Sequence, residues 1–169
     1  FLWVLLLPAV LIQTAEGRRG VVKASQAWWS LLSIVSVFTV AHSLTLALAV
    51  FQVFTPAAGP IESLIALSIV FAALHNLRAD SPLSSWQIAF AFGLIHGFGF
   101  ANVLADLHQF QDSNVLVWFA FNFGVELGQL SWICAFFPLA YSIRHTKFYR
   151  THAIIWGSWA AILIATYWF

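Results

Sequence analysis

The longest uncharged stretch of this chain decides what it can fold into. No Asp, Glu, Lys or Arg occurs between Lys23 and Glu62. Residues 28–54 within that stretch are long and apolar enough to cross the hydrocarbon core of a bilayer, which takes about 20 residues as a helix. The chain as a whole is 62% hydrophobic and 8% charged, so it has too few charged side chains to cover a water-soluble domain. We therefore predict an integral membrane protein.

Further apolar runs, separated by short polar loops, predict more spanning helices. The predicted helices are a first one that ends near Ile12, others at about 28–54, 61–76, 86–104 and 115–141, and a sixth that reaches Phe169. The first run has only about a dozen residues, against the ~20 needed to span, and the sequence contains no Met. We therefore expect residues upstream of Phe1 and a truncated first helix. The predicted fold is an all-α, polytopic transmembrane bundle of about six helices, forming a single domain over residues 1–169.

The positive charges predict how the chain is oriented. All seven Lys and Arg residues fall in the loops after the first, third and fifth predicted helices, and cytoplasmic loops are the ones enriched in Lys and Arg. This pattern places both termini of the chain outside, in a multi-pass protein surrounded by the lipid bilayer. The net charge of +1 gives no sign of a nucleic-acid partner.

Five ionisable or amide side chains lie inside the predicted spans or at their mouth, where lipid makes them costly unless they face protein, water or an ion. A rise of about 1.5 Å per residue places Glu62 near the outer mouth of the third helix. His96 and Asn122 lie roughly 10–12 Å below the outer boundary. His42 and Glu126 lie roughly 17 Å below it, close to the midplane of a core about 30 Å thick.

The helical spacing gives the fifth helix two distinct faces. Asn122, Glu126 and Gln129 are spaced so that they share one stripe. Gly124 and Gly128 mark a different stripe, of the kind that lets another membrane helix approach closely. We therefore predict a polar face and a close-packing face on the same helix.

Two other helices carry a comparable pattern. Gly93, Gly97 and Ala101 repeat at four-residue spacing on the fourth helix, which predicts a close approach by a neighbouring helix. On the third helix, the stripe that contains Glu62 points away from His75. We therefore keep Glu62 as a candidate site residue and leave His75 out.

The donor atoms of the five candidates indicate a metal. Imidazole, carboxylate and amide groups form a set that suits Ni, Co, Zn or Fe(II) better than Cu(I). The predicted metal-binding residues are His42, His96, Glu126, Glu62 and Asn122. Other interpretations stay open. His42 or His96, taken singly, could be a hydrogen-bonded packing residue, and a chain of Asp, Glu and His side chains is also typical of a proton relay. Glu62 likewise fits a first-turn acid that interacts favourably with the helix dipole.

Four segments of the chain resemble the HupE/UreJ family of small bacterial membrane proteins. The matching segments are FTVAHSLTLALA at residues 38–49, IESLIALSIV at 61–70, FGLIHGFGFA at 92–101 and FNFGVELGQL at 121–130. The resemblance implies a six- or seven-helix, permease-like protein of the bacterial inner membrane, associated with nickel or cobalt uptake and with hydrogenase or urease genes. It also implies a motif of His and Asp-His on the first helix, upstream of Phe1.

Three functions are compatible with this pattern, and we place metal handling first. In that hypothesis the chain is not an enzyme, and a divalent transition metal, nickel first, moves from the outer face through a His/Glu/Asn site near the bilayer midplane. The second hypothesis is a non-transporting subunit that associates with other membrane subunits or with a second copy of itself. The third is an intramembrane metal-dependent hydrolase. The absence of an HExxH motif from the sequence argues against this hypothesis.

Overall fold

The computed structural model describes residues 3–4, 7–14, 17–20, 23–78, 84–106 and 115–168. Within these residues the chain forms five α-helices: α1 (Ala24–Val50), α2 (Ala58–Leu77), α3 (Ser85–Asp106), α4 (Val115–Ile143) and α5 (Ile154–Trp168). A two-stranded hairpin of β1 (Leu11–Thr14) and β2 (Gly17–Gly20) precedes α1, and a π-helical segment, Phe148–Ala153, leads into α5.

The predicted membrane bundle is confirmed in outline, but the predicted count of about six helices is wrong for the described residues, which hold five. Three helices are apolar and long enough to cross a membrane, namely Ala24–Val50, Ala58–Leu77 and Trp118–Ile143 within α4. These three are counted among the described residues only. Phe1, where we expected a truncated helix to begin, lies outside the described residues.

The first predicted helix accounts for the difference in the count. Trp3 and Val4 are helical, but residues 7–10 form turns and Leu11–Thr14 pairs with Gly17–Gly20 as antiparallel strands. The physical reason is Pro8, which has no N–H to donate to the carbonyl of Val4 and so cannot continue a helix. The apolar run therefore enters a hairpin where we predicted a helix as far as Ile12.

The boundaries of the other helices shift by a few residues. We predicted that the helix of α1 would reach residue 54, but it ends at Val50. Gln52 has φ 58°, the left-handed conformation that typically follows a helix end. At the other boundary, α2 begins at Ala58, so Glu62 lies beyond its first turn. The helix dipole is strongest within the first turn, and it therefore gives a weaker reason for an acid at Glu62 than we expected.

The most extensive helix contact is between α1 and α3, and two glycines make it possible. A Cβ added at Gly93 would lie 2.6 Å from the carbonyl oxygen of Phe38. One added at Gly97 would overlap the Thr45 hydroxyl and the His42 carbonyl oxygen. The predicted close approach at this four-residue spacing is therefore confirmed.

The central core lies between the first segment, α1, α2, α3 and α5. Its buried side chains are Val4, Ile34, Phe38, Ala72, Ala73, Ile88, Ala89, Phe92 and Ala161. Asn76 joins the first segment to α2, because its side-chain amide donates to the carbonyl of Val4 at 2.5 Å. Ala73 and Asn76 are buried and His75 is only partly so, so His75 does not lie on the buried face of this helix.

α4 lies at the edge of the bundle, and most of its surface is exposed. Within the described residues, no atom beyond the adjoining backbone of α4 itself lies within 4 Å of a Cβ added at Gly124 or Gly128. The close-packing face that we predicted for these glycines is therefore not packed by the described part of this chain. Large apolar side chains such as Phe123 and Leu127 are exposed alongside them, as suits a surface that faces lipid.

The hairpin packs against the segment that follows α4. The hydroxyl of Tyr149 donates to the carbonyl of Leu7 at 3.0 Å, and burial raises the pKa of Tyr149. A Cβ added at Gly20 would lie 2.9 Å from the side chains of Arg144 and His145. Two of the positively charged connections therefore lie together at one end of the bundle, as we expect of loops on the same side of a membrane.

Candidate functional site

His96 lies on α3 and is held by a serine of the neighbouring helix. Its Nε2 is 3.2 Å from the hydroxyl oxygen of Ser68 on α2. The Ser68 hydroxyl also donates to the carbonyl of Ile65 at 2.7 Å, and a hydroxyl has one proton. Nε2 of His96 is therefore the donor to Ser68, which leaves the lone pair on Nδ1, the ring nitrogen that can bind a metal.

His96 and Glu62 line one cavity. This cavity, of about 480 Å³, lies between α2, α3 and α5. Glu62, Val103 and Trp168 line it where α2 begins and where α3 and α5 end, so it opens at that end of the bundle. The Glu62 side chain is exposed and His96 is buried. A carboxylate therefore lies at the mouth of the cavity and an imidazole deeper inside it.

His42 is the most deeply buried of the five candidates. Its side chain on α1 is 1% exposed, and neither ring nitrogen has a hydrogen-bond partner among the described residues. Its ring centroid lies 5.1 Å from that of Phe100 and 6.4 Å from that of Phe121. The ring of Phe38 lies 5.9 Å from His42 and 5.6 Å from His96. The ring of Phe38 therefore lies close to both imidazoles.

A polar seam joins α1 to α4. Ser43 donates to the amide oxygen of Asn122 at 2.6 Å, and Thr39 donates to the amide oxygen of Gln129 at 3.1 Å. The half-buried Glu126 lies on the same stripe of α4, between these two hydrogen bonds. The predicted polar face of this helix is therefore confirmed as the face that meets α1.

The structure distributes the five predicted residues over two places. Glu62 and His96 share the cavity, whereas Asn122 and Glu126 belong to the α1–α4 seam. His42 lies between them, because its ring contacts Phe100 of the cavity and Phe121 of α4. No three His, Cys, Asp or Glu side chains lie close enough to hold a metal together in the part of the chain that the structure describes. Metal binding by these five residues stays a prediction.

Sequence reasoning did not select two residues that the structure places at the site. Ser68 orients His96, and Phe100 contacts His42 while it also lines the cavity. The signal for Ser68 was available, since a hydroxyl inside an apolar run must find a partner. Phe100 carried no such signal, because the chain has seventeen phenylalanines and most of them suit lipid.

Three comparisons with known proteins test the family resemblance that four of the helices show. Neither the curated proteins nor the solved structures give a match. A family model described as HupE / UreJ protein matches residues 1–169. The match covers the whole chain, including the hairpin and α5, which contributed little to the resemblance, and the chain therefore belongs to the HupE/UreJ family.

Proposed function

We propose that this protein transports a divalent transition metal ion across the membrane, with nickel first and cobalt next among the candidate substrates. The observation that supports this most directly is the cavity in which Glu62 at the mouth precedes the buried His96. Carboxylate and imidazole are suitable ligands for these metals. The family gives independent support, because it suggests a nickel or cobalt accessory or transport role.

The contacts suggest an order of events for the ion. The carboxylate of Glu62 attracts the cation to the mouth, and His96 binds it next through the ring nitrogen that does not donate to Ser68. The ion then reaches His42, which has no competing hydrogen bond among the described residues. Glu126 of the seam, at a depth similar to that of His42, and Asn122, nearer the outer boundary, provide oxygen ligands on the side of α4. With the charged loops cytoplasmic, this route runs inward from the outer face of the inner membrane.

We propose transport without catalysis. A serine nucleophile must give its proton to the histidine that activates it, but the Ser68 hydroxyl donates to the carbonyl of Ile65. The Ser68–His96 pair is therefore arranged to orient the imidazole, and it supports a ligand role for His96.

Metal accumulation in cells that express the full-length protein tests this function. We expect nickel accumulation, measured by mass spectrometry of washed cells, to fall to the level of empty-vector cells in His42→Ala and in His96→Ala. His152→Ala is the matched control, because His152 is exposed in the π-helical segment and should leave accumulation unchanged at equal expression. Wild-type accumulation in both site variants would overturn the proposal.

A second function, a non-transporting subunit of a larger membrane complex, is favoured by one observation. The Gly124 and Gly128 face of α4 is not covered by the described residues, and such faces commonly pack against another helix. In this case a defined partner or a second copy would co-purify with the chain, Gly124→Leu would release it, and nickel accumulation would not respond to His42→Ala.

A further inference from the structure

Phe100 lies beside both the cavity and His42. Its side chain on α3 lines the cavity that holds Glu62 and His96. Its ring centroid also lies 5.1 Å from that of His42 and 5.6 Å from that of Phe121 on α4. One aromatic ring therefore contacts both the open cavity and the buried imidazole.

The surroundings of His96 and His42 differ in the space that they offer an ion. A cavity of about 480 Å³ is many times larger than one water, whose share of liquid volume is about 30 Å³, so it has room for a divalent ion with its first hydration shell. His42 is 1% exposed and packed against three phenylalanine rings. An ion that moves from His96 to His42 must therefore lose its water and pass between aromatic rings.

Two phenylalanines contact His42 on the side of α3, and they differ in how tightly they are packed. Phe38 is 5% exposed and belongs to the central core, where its carbonyl oxygen lies against Gly93. Phe100 is 41% exposed and lines the cavity, so fewer packed neighbours hold its ring in place. A change of rotamer at a partly exposed side chain is among the fast motions of a protein.

We propose that Phe100 is a hydrophobic gate that determines which ions reach His42, by requiring them to shed their hydration water. Its role in ion selection rests on the proposed transport function, whereas its role as a barrier rests on the ring contacts alone. Apolar constrictions of this kind block hydrated ions until the side chain moves. Mg²⁺ gains little from imidazole in exchange for its water and is excluded, whereas Ni²⁺ replaces lost water with imidazole and passes.

Cysteine accessibility tests the barrier without any assay of transport. The exposed Cys134 is first replaced in a Cys134→Ala background, and His42→Cys or His96→Cys is introduced into protein held in lipid nanodiscs. The probe is the cationic thiol reagent MTSET, and the modified fraction is followed by mass spectrometry. Each cysteine is combined with Phe100→Ala and with the matched control Phe90→Ala. Phe90 lies on the same helix with the same 41% exposure.

We expect His96→Cys to react readily in every combination, which also reports that each variant is folded. We expect His42→Cys to react roughly ten-fold more slowly than His96→Cys while Phe100 is present, and to accelerate to a similar rate with Phe100→Ala but not with Phe90→Ala. Equal reactivity of His42→Cys with and without Phe100 would overturn the gate.

Uptake measurements separate the gate from the transport function. If the gate selects ions, Phe100→Ala raises the uptake of Mg²⁺ relative to Ni²⁺, whereas Phe90→Ala leaves the ratio unchanged. Labelling as expected together with no nickel uptake by the wild-type protein would refute transport and leave the barrier in place. Unchanged labelling together with nickel uptake that requires His42 would refute the gate and leave transport in place.

Discussion

The hydroxyl oxygen of Ser68 and Nε2 of His96 lie 3.2 Å apart across the contact of α2 with α3. Because Ser68 gives its own proton to the carbonyl of Ile65, it accepts from the imidazole and fixes the orientation of the ring. Hydrogen bonds of this type to a metal-binding histidine typically contribute 10–100-fold to metal affinity or activity.

Ser68→Ala should therefore weaken uptake without abolishing it. We expect the nickel concentration for half-maximal accumulation to rise by about ten-fold or more, with the maximal rate less affected than in His96→Ala. Ser33→Ala is the control, because Ser33 is exposed and donates only to the carbonyl of Trp29 in its own helix. Identical concentration dependence in Ser68→Ala and Ser33→Ala would contradict an orienting role.

Two glycines with the same type of spacing should respond oppositely to substitution by alanine. In Gly97→Ala the added methyl group overlaps the Thr45 hydroxyl and the His42 carbonyl oxygen, so α1 and α3 must separate and His42 must move. At Gly128 no described atom beyond the adjoining backbone of α4 lies within 4 Å of the added carbon, and alanine favours a helix over glycine by about 1 kcal/mol. We expect Gly97→Ala to lower the midpoint of thermal unfolding in detergent and to abolish nickel uptake.

Gly128→Ala should leave both quantities unchanged or raise the unfolding midpoint slightly. If Gly97→Ala unfolds at the wild-type temperature and still takes up nickel, the α1–α3 contact is looser than its glycines indicate. A marked loss of stability in Gly128→Ala would instead point to a second helix on that face of α4.

The glycines of α3 and α4 show how far the sequence predicts the fold. Helical periodicity correctly assigned Gly93 and Gly97 to a close-packing face. It also assigned Asn122 and Gln129 to one polar stripe, which the structure shows to be the face that meets α1. Periodicity fixes which side chains share a face, because it depends only on the rise and turn of one helix. It does not fix which helix, if any, lies against that face, and Gly124 and Gly128 carry the same spacing without a described neighbour.

For the same reason, the sequence could not predict that the five candidate residues divide between the cavity and the α1–α4 seam. Depth along a helix can be read from residue number, and so the sequence placed His42 and Glu126 at a similar level. It could not show that α5 packs beside α2 and α3 and so places Glu62 and His96 along one cavity. Nor could it show that phenylalanine rings surround His42, because such contacts depend on the arrangement of three helices.

Tyr149 should anchor the first segment of the chain to the bundle. Its buried hydroxyl donates to the carbonyl of Leu7, and Tyr149→Phe leaves that carbonyl without this donor. We expect a loss of roughly 1 kcal/mol, seen as a lower midpoint of thermal unfolding in detergent. Tyr167→Phe is the matched control, because Tyr167 is 89% exposed, and it should leave the midpoint unchanged. Equal midpoints for the two variants would show that the Leu7 contact does not stabilise the fold.

The same tyrosine predicts how stability depends on alkaline pH. Burial raises the pKa of Tyr149 above its ordinary value of 10.0, so the unfolded chain loses this proton at a lower pH than the folded protein. The stabilisation from Tyr149 is therefore complete below about pH 10 and is lost as pH rises above that value. Between pH 9 and pH 11 the unfolding midpoint of the wild type should fall more steeply than that of Tyr149→Phe, and parallel curves would contradict this assignment.

Removal of the charge of Glu62 should weaken nickel uptake. Glu62→Gln keeps the shape of the side chain but removes the carboxylate at the mouth of the cavity, which in our proposal attracts the cation. We therefore expect the nickel concentration for half-maximal uptake to rise in this variant. The measurement is initial-rate nickel uptake in washed cells, with membrane potential monitored in parallel. An unchanged concentration dependence in Glu62→Gln would contradict a carboxylate ligand at the mouth of the cavity.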